Sequence, residues 1–90
     1  MADIATPVHV MLCIDVLEHI AQASAFFLQM DRLLSRGGVL VLRVPWASMA
    51  PHPEHLPEAE ADWIGEGQGV LERNYQLLRP FSFGGIYHKM

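Results

Sequence analysis

Two apolar runs decide the fold of this chain: Val8-His9-Val10-Met11-Leu12-Cys13-Ile14 and Val39-Leu40-Val41-Leu42-Arg43-Val44. Pro7 and Asp15 bound the first run, and Pro45 ends the second. Short apolar runs rich in β-branched residues are typical of strands that are covered on both faces. We therefore predict two buried strands, over residues 8–14 and 39–44.

The residues between the two runs have the periodicity of an amphipathic helix over 23–34. Its apolar side chains recur at spacings of three and four: Ala23, Phe26, Phe27, Met30, Leu33 and Leu34. Ser24 lies near the start, and Gly37-Gly38 is expected to end the helix as a C-cap. Strand, helix and strand form a βαβ unit with parallel strands and a right-handed crossover. The predicted fold class is α/β, with Phe26, Phe27, Met30 and Leu33 buried against the sheet.

The rest of the chain is predicted to flank this unit, which spans residues 8–46. Residues 1–7 are assigned to an N-terminal tail, and residues 47–90 to a C-terminal extension that is polar and partly irregular. Three prolines interrupt its first part, and residues 54–72 hold six acids and no base. A short helix is expected around 56–64 and an edge strand or hairpin around Gly84-Gly85. Whether the extension belongs to the same domain is left open.

Composition narrows the class of protein and its partners. The chain has 90 residues, of which 51% are apolar, so one small globular core is expected. Ten acids against six bases give a net charge of −4, which argues against a nucleic-acid partner. The single cysteine, Cys13, excludes an internal disulfide and favours a reducing compartment, with the cytoplasm as the default. Neither a basic leader nor an apolar run of about 18 residues is seen, so no export and no membrane partner are predicted.

The residues that leave the first strand are the best candidates for a site, since ligands of open parallel sheets bind beyond the carboxyl ends of strands. Asp15-x-x-Glu18-His19 gathers two carboxylates and an imidazole on one turn. The cluster could bind a ligand or relay a proton. Alternatively, Asp15 caps a helix, Glu18 is a favourable charge near a helix start and His19 is a hydrogen-bonded structural residue. Cys13 has nothing nearby to lower its pKa, so packing is its expected role rather than nucleophilic attack.

The same residues resemble a known family. "DVLEHI" at 15–20, "RLLSRGG" at 32–38 and "VLVLRVP" at 39–45 are similar to the fourth strand, the following helix and the fifth strand of class I S-adenosylmethionine-dependent methyltransferases. The likeness is to the broad group that includes the ubiquinone and menaquinone methyltransferases. It spans residues 8–46, about half of the chain. It implies the C-terminal half of a Rossmann-like methyltransferase sheet and methyl transfer to a small-molecule acceptor.

The resemblance also implies roles for individual residues. Cys13, Ile14 and Asp15 would border the methionine side of the cofactor S-adenosylmethionine, and His19 would face the acceptor as the catalytic-site residue. The family's glycine-rich loop and its acid after the second strand, which hold the cofactor, are not found in these 90 residues. Weak or no cofactor binding is therefore expected for this chain alone, and the identity of the acceptor cannot be deduced.

Two alternatives remain open at this level. In some O-methyltransferases of the group, the pattern acid-x-x-Glu-His ligates a divalent metal, which would make Asp15, Glu18 and His19 ligands for Mg²⁺, Mn²⁺ or Zn²⁺. Most relatives with "DVLEH" work without a metal, so no metal is assigned. The alternative function is a non-catalytic remnant or partner-binding half-domain, which uses its open sheet edge for self-association or to complete a sheet with a complementary chain.

Overall fold

A computed structural model describes residues 8–90, so the predicted tail over 1–7 lies outside the described residues. The fold is a small α/β arrangement with one four-stranded mixed sheet in the order β1-β2-β4-β3. Its elements in chain order are β1 (Val8–Ile14), α1 (Ala23–Leu33), β2 (Leu34–Arg43), α2 (Pro57–Asp62), α3 (Gln68–Asn74), β3 (Tyr75–Phe81) and β4 (Gly84–Lys89). A 3-10 turn covers Leu17–His19 and a π-helical turn covers Trp63–Gly67. Within 8–90, no helix is long and apolar enough to cross a membrane.

The predicted parallel pair is confirmed. β1 and β2 run parallel, with Val10 opposite Val39 and Cys13 opposite Leu42. However, β2 begins at Leu34, directly after α1, and not at residue 39. Gly37 takes a φ of +81° inside this strand, where the register between β1 and β2 shifts. The expected C-cap role of Gly37-Gly38 is therefore wrong, because these glycines form an irregularity in β2 and the helix ends at Leu33 without them.

Helix α1 is confirmed, but its buried stripe is narrower than predicted. Phe27 is fully buried and Met30 half-buried, whereas Phe26 and Leu33 are exposed. The buried side of α1 consists of Ala23, Ser24 and Phe27. The helix packs on the π-helical turn as well as on the sheet, since the Ser24 hydroxyl donates to the Asp62 carbonyl (2.8 Å) and accepts from Gly67 N–H (2.8 Å). With Ser24 and Phe27 on the buried side of α1, Phe26 and Leu33 lie on its exposed side.

The C-terminal residues form more regular structure than the sequence predicted. Helix α2, the π-helical turn and α3 follow one another from residue 57 to residue 74, well beyond the expected end near 64. The expected hairpin exists, but its turn lies at Ser82-Phe83 and not at the glycines. Gly84 faces Arg43 across the β2–β4 pair, where a Cβ atom would come within 1.9 Å of the Leu42 carbonyl oxygen. Strand β4 can therefore pair with β2 at this position only because residue 84 has no side chain.

The core lies on one side of the sheet only. Buried side chains of β1 and β2 join those of all three α-helices in one apolar cluster: Cys13, Leu40, Leu42, Ala23, Phe27, Ala59, Trp63 and Leu71. On the opposite face, Val10, Leu12 and Ile14 are 61%, 67% and 45% exposed. The prediction that β1 is covered on both faces is wrong, because no element of residues 8–90 packs on this side. We call Val10, Leu12 and Ile14 the uncovered face.

Candidate functional site

The turn that follows β1 is held by the end of β2. Asp15 adopts a φ of +58°, a left-handed conformation that is uncommon for residues other than glycine. Its N–H donates to the Arg43 carbonyl (2.9 Å), and its carboxylate forms an ion pair with the Arg43 guanidinium. That guanidinium lies 5.3 Å from the centre of the Phe83 ring. Asp15 therefore fixes the turn through Arg43, and it does not cap the 3-10 turn, whose N-cap residue is Val16.

Glu18 occupies the centre of the 3-10 turn and points into the protein. Only 1% of its surface is exposed, although it was expected as a favourable charge near a helix start. Neither of its carboxylate oxygens has a hydrogen-bond partner in the described part of the chain. A buried carboxylate without a partner is strongly unfavourable, so such a group normally faces a cation or carries a proton. The groups around the Glu18 carboxylate are therefore the first place to look for a bound cation or a shared proton, and we take them as the candidate site.

His19 brings a ring nitrogen to this carboxylate. Its Nδ1 lies 2.8 Å from the Glu54 carbonyl oxygen, which can only accept, so Nδ1 carries a proton. In the neutral ring, Nε2 then holds a lone pair, and this atom lies 3.3 Å from Oε2 of Glu18. Two acceptors that face each other at this distance repel unless a cation lies between them. A proton on Glu18, a second proton on His19 or a metal ion each satisfies this requirement.

His55 adds a second imidazole to the same place. Its Nδ1 lies 2.6 Å from the Ala50 carbonyl oxygen, which again fixes the proton on Nδ1 and leaves the lone pair on Nε2. The rings of His19 and His55 meet edge to face with centres 5.1 Å apart. One ligand atom from each of Glu18, His19 and His55 lies within 4.8 Å of the others. We call these three residues the Glu-His-His cluster.

The loop over residues 50–56 of the C-terminal extension places His55 beside the 3-10 turn Leu17–His19. Leu56 N–H donates to the Glu18 carbonyl (2.8 Å), and the Glu54 carbonyl accepts a hydrogen bond from the His19 ring. His52 lies beside His55, with ring centres 5.1 Å apart, but its Nδ1 accepts from Glu54 N–H (3.1 Å). The neutral His52 ring therefore carries its proton on Nε2, the opposite tautomer to that of His19 and His55. Hydrogen bonds to the main chain thus leave the Nε2 lone pair available in His19 and His55, but not in His52.

The cluster has the properties of a divalent-metal site. Metal-bound histidines usually donate their other ring N–H to a carbonyl or carboxylate, as both do here. Ligands of a tetrahedral ion at about 2.1 Å lie about 3.4 Å apart, close to the separation of Glu18 Oε2 and His19 Nε2. One carboxylate and two imidazoles suit Zn²⁺, Fe²⁺, Mn²⁺ or Co²⁺ and leave coordination positions for water or substrate. A proton on His19 would satisfy Glu18 alone and would give His55 no role.

The structure separates the residues that the resemblance assigned to the cofactor. The Cys13 side chain is buried among the core residues, and burial, followed by the nearby charge of Glu18, raises the pKa of its thiol to about 11. Ile14 points the opposite way, onto the uncovered face. Only Asp15, through its half-exposed carboxylate, remains accessible beyond the carboxyl ends of β1 and β2. A ligand at this edge would reach Cys13 by its main chain and not by its thiol.

Sequence reasoning predicted His19 but missed the partners that the fold gives it. The sequence places Glu18 in an Asp15-x-x-Glu18-His19 cluster, but in the structure Asp15 pairs with Arg43 and lies outside the Glu-His-His cluster. The sequence does not predict His55 as a partner, because it lies 36 positions after His19. The only signal in the sequence was "HPEH" at 52–55, a proline-containing stretch with two histidines shortly after the second strand.

Comparison with known proteins identifies no relative. No family model, no curated protein and no solved structure matches the chain.

Proposed function

We propose that this chain forms the acceptor side of an S-adenosylmethionine-dependent methyltransferase domain and that its Glu-His-His cluster holds a divalent metal there. The observation that carries the proposal is the buried, unpartnered Glu18 carboxylate facing His19 beside His55. This cluster lies at the turn after a parallel strand, the usual position of ligands in sheets of this class. The resemblance of residues 8–46 supplies the reaction, methyl transfer to a small-molecule acceptor.

The proposed sheet is compatible with the mixed sheet of the structure. Large doubly wound sheets often carry an antiparallel strand at one side of an otherwise parallel sheet. Here β4 pairs antiparallel with β2, while among residues 8–90 no strand pairs with the other edge of β1. In the proposal, the strands that carry the glycine-rich loop of the family add to this edge.

The residues of the site would act mainly by positioning. Methyl transfer from a sulfonium ion requires in-line placement of the acceptor more than it requires acid-base strength. Asp15, held by Arg43, would border the methionine side of the cofactor, and His19 would face the acceptor together with His55. A bound divalent ion would polarise an acceptor oxygen and lower its pKa. Glu18 offsets one of the two positive charges of that ion, so the loaded site would favour an anionic oxygen.

The metal site can be tested with the purified chain. We expect calorimetric titration to detect Zn²⁺ binding, and Co²⁺ to give the visible absorption of a site with nitrogen ligands. Two imidazoles favour these ions over Mg²⁺. His55→Ala and Glu18→Gln should each weaken Zn²⁺ binding at least about tenfold, a loss that even supporting residues of metal sites often produce.

His52→Ala is the matched control, since this histidine lies beside the cluster in the other tautomer. It should leave the Zn²⁺ affinity unchanged, while circular dichroism verifies the fold of each variant. Equal losses for His52→Ala and His55→Ala would show nonspecific binding by surface histidines. Absence of Zn²⁺ binding would leave the buried pair of Glu18 with protonated His19 as the explanation of the cluster.

The cofactor role requires its own experiment. Without the glycine-rich loop and the ribose-binding acid, several charge-assisted hydrogen bonds at about 1.5–3 kcal/mol each are missing, which weakens binding by orders of magnitude. We expect calorimetry to show no micromolar binding of S-adenosylhomocysteine. Saturation-transfer NMR at millimolar ligand should still show contact with its homocysteine part, lost in Asp15→Ala and kept in Glu58→Gln.

Two outcomes would contradict this view of the cofactor. Micromolar binding that Asp15→Ala abolishes would make the chain a minimal cofactor-binding domain. No contact at all at millimolar ligand would remove the cofactor role of Cys13, Ile14 and Asp15. Neither outcome bears on the metal titration, so the two parts of the proposal fail separately.

The second candidate function is completion of a sheet with another chain, and the uncovered face favours it. Parallel strands are normally covered on both faces, yet Val10, Leu12 and Ile14 are exposed on an edge strand with no lysine or proline within it. We expect sedimentation to show dimers or larger species at micromolar concentration. Leu12→Lys should shift the chain toward monomer, while Ile64→Lys, at an equally exposed position on the π-helical turn, should not. A monomeric wild-type chain would contradict this candidate.

A further inference from the structure

A second concave surface lies away from the Glu-His-His cluster, between α3 and the β3–β4 hairpin. It is an open cleft of about 390 Å³, near the lower limit of volumes that hold small organic ligands. Three aromatic side chains, Trp63, Tyr75 and Tyr87, contribute to its wall together with Leu71. The cleft therefore offers polar and apolar surface to a ligand in similar amounts.

One charged group lines this cleft, the carboxylate of Glu72. The side-chain amide of Gln68 donates to it over a long distance of 3.4 Å, one turn earlier on α3. No lysine, arginine or histidine of residues 8–90 forms an ion pair with Glu72. The carboxylate is thus free to attract a cation from solution, in a chain whose net charge is −4.

The two tyrosines of the cleft differ in the hydrogen bonding of their hydroxyl groups. The Tyr75 hydroxyl donates its proton in a hydrogen bond to the Asp31 carboxylate (2.7 Å), so it has no proton left to donate to a ligand. The Tyr87 hydroxyl takes part in no hydrogen bond formed within residues 8–90. Both Tyr87 and Glu72 line the cleft, and burial, followed by the charge of Glu72, raises the pKa of Tyr87. Negative potential and aromatic rings therefore occur together on one wall.

We propose that this cleft binds a small organic ammonium ion, a primary or quaternary amine that carries an apolar group. The ammonium group would lie between the Glu72 carboxylate and the aromatic rings, which attract cations through their faces. The apolar group would pack on Leu77 and Tyr87, which line the cleft and are more exposed than Leu71 and Trp63. A neutral aromatic compound would use the same wall but not the charge, and an anion would be repelled by Glu72. This inference goes beyond the proposed methyl transfer and does not depend on it.

The charge of the probe is the variable that tests the proposal. 2-Phenylethylamine, 2-phenylethanol and phenylacetate have similar shapes and carry positive, zero and negative charge at neutral pH. We expect the amine to shift the amide NMR signals of residues 68–77 and 84–89 and to bind at least about fivefold more tightly than the alcohol. Phenylacetate should bind more weakly than both.

Glu72→Gln should remove the preference for the amine, so that amine and alcohol bind alike. Glu58→Gln is the matched control, because it removes the same charge from an exposed position on α2 that does not line the cleft. It should keep the preference. Equal binding of the three probes to the wild-type chain, no shifts with the amine, or a preference that survives in Glu72→Gln would each overturn the proposal. Because Glu72 is exposed, its substitution is expected to leave the fold unchanged.

Discussion

The two adjacent phenylalanines of α1 allow a stringent test of the packing. Phe27 is fully buried, whereas 40% of Phe26 is exposed on the same helix. The Phe27 ring meets Trp63 edge to face, with centres 5.0 Å apart, and lies 6.0 Å from the centre of Tyr75. Phe27 therefore joins α1 to the π-helical turn and to the first residue of β3.

The expected loss in Phe27→Ala follows from this enclosure. Truncation of a buried phenylalanine costs about 3–5 kcal/mol, and the favourable aromatic pairs place this site toward the upper end. A 90-residue domain has a free energy of unfolding of about 5–13 kcal/mol, so one substitution removes a large fraction of it. Phe26→Ala deletes the same atoms from a partly solvated position and should cost about 1 kcal/mol.

Urea unfolding, followed by circular dichroism, measures both losses. The midpoint should fall much further for Phe27→Ala than for Phe26→Ala, with the same slope for all three proteins. Equal losses, or a larger loss for Phe26→Ala, would refute the orientation of α1 described here. That result would instead favour the wider stripe predicted from the periodicity alone.

Two further predictions concern residues of the sheet. Gly84→Ala should prevent or strongly weaken pairing of β4 with β2, because its Cβ would overlap the main chain of β2, while Gly65→Ala meets no atom within 4 Å and should preserve the melting temperature. For Cys13, the folded thiol keeps its proton up to a pKa of about 11, whereas the unfolded thiol loses it near 9.0. Stability should therefore be complete below pH 9 and fall by about 2–3 kcal/mol between pH 9 and 11. Unfolding measured against pH should show this loss in the wild-type chain relative to Cys13→Ala, and a constant difference between the two would contradict it.

The local pattern predicted the βαβ unit well because periodicity reports which faces of an element are apolar. The parallel pair of β1 and β2 and the position of α1 followed from it. The expectation that β1 is covered on both faces was wrong, since an apolar run says that a strand can be buried but not that a partner is present. The extent of the C-terminal helices was missed because Ser24 contacts residues 62 and 67, and no local signal encodes such a contact.

For the candidate site too, some features follow from the sequence and others only from the tertiary structure. The sequence by itself determined that Glu18 and His19 share one turn at the carboxyl end of a strand, because adjacent residues cannot be separated by folding. Only the tertiary structure decided that Glu18 is buried, that Asp15 pairs with Arg43 and that His55 joins the cluster. His55 reaches the site because Leu56 N–H donates to the Glu18 carbonyl and the His19 ring donates to the Glu54 carbonyl. The Glu54 and Ala50 carbonyls also fix the ring protons of His19 and His55. The carbonyl groups that accept these bonds occur in every residue, so the amino-acid pattern could not reveal which of them would be used.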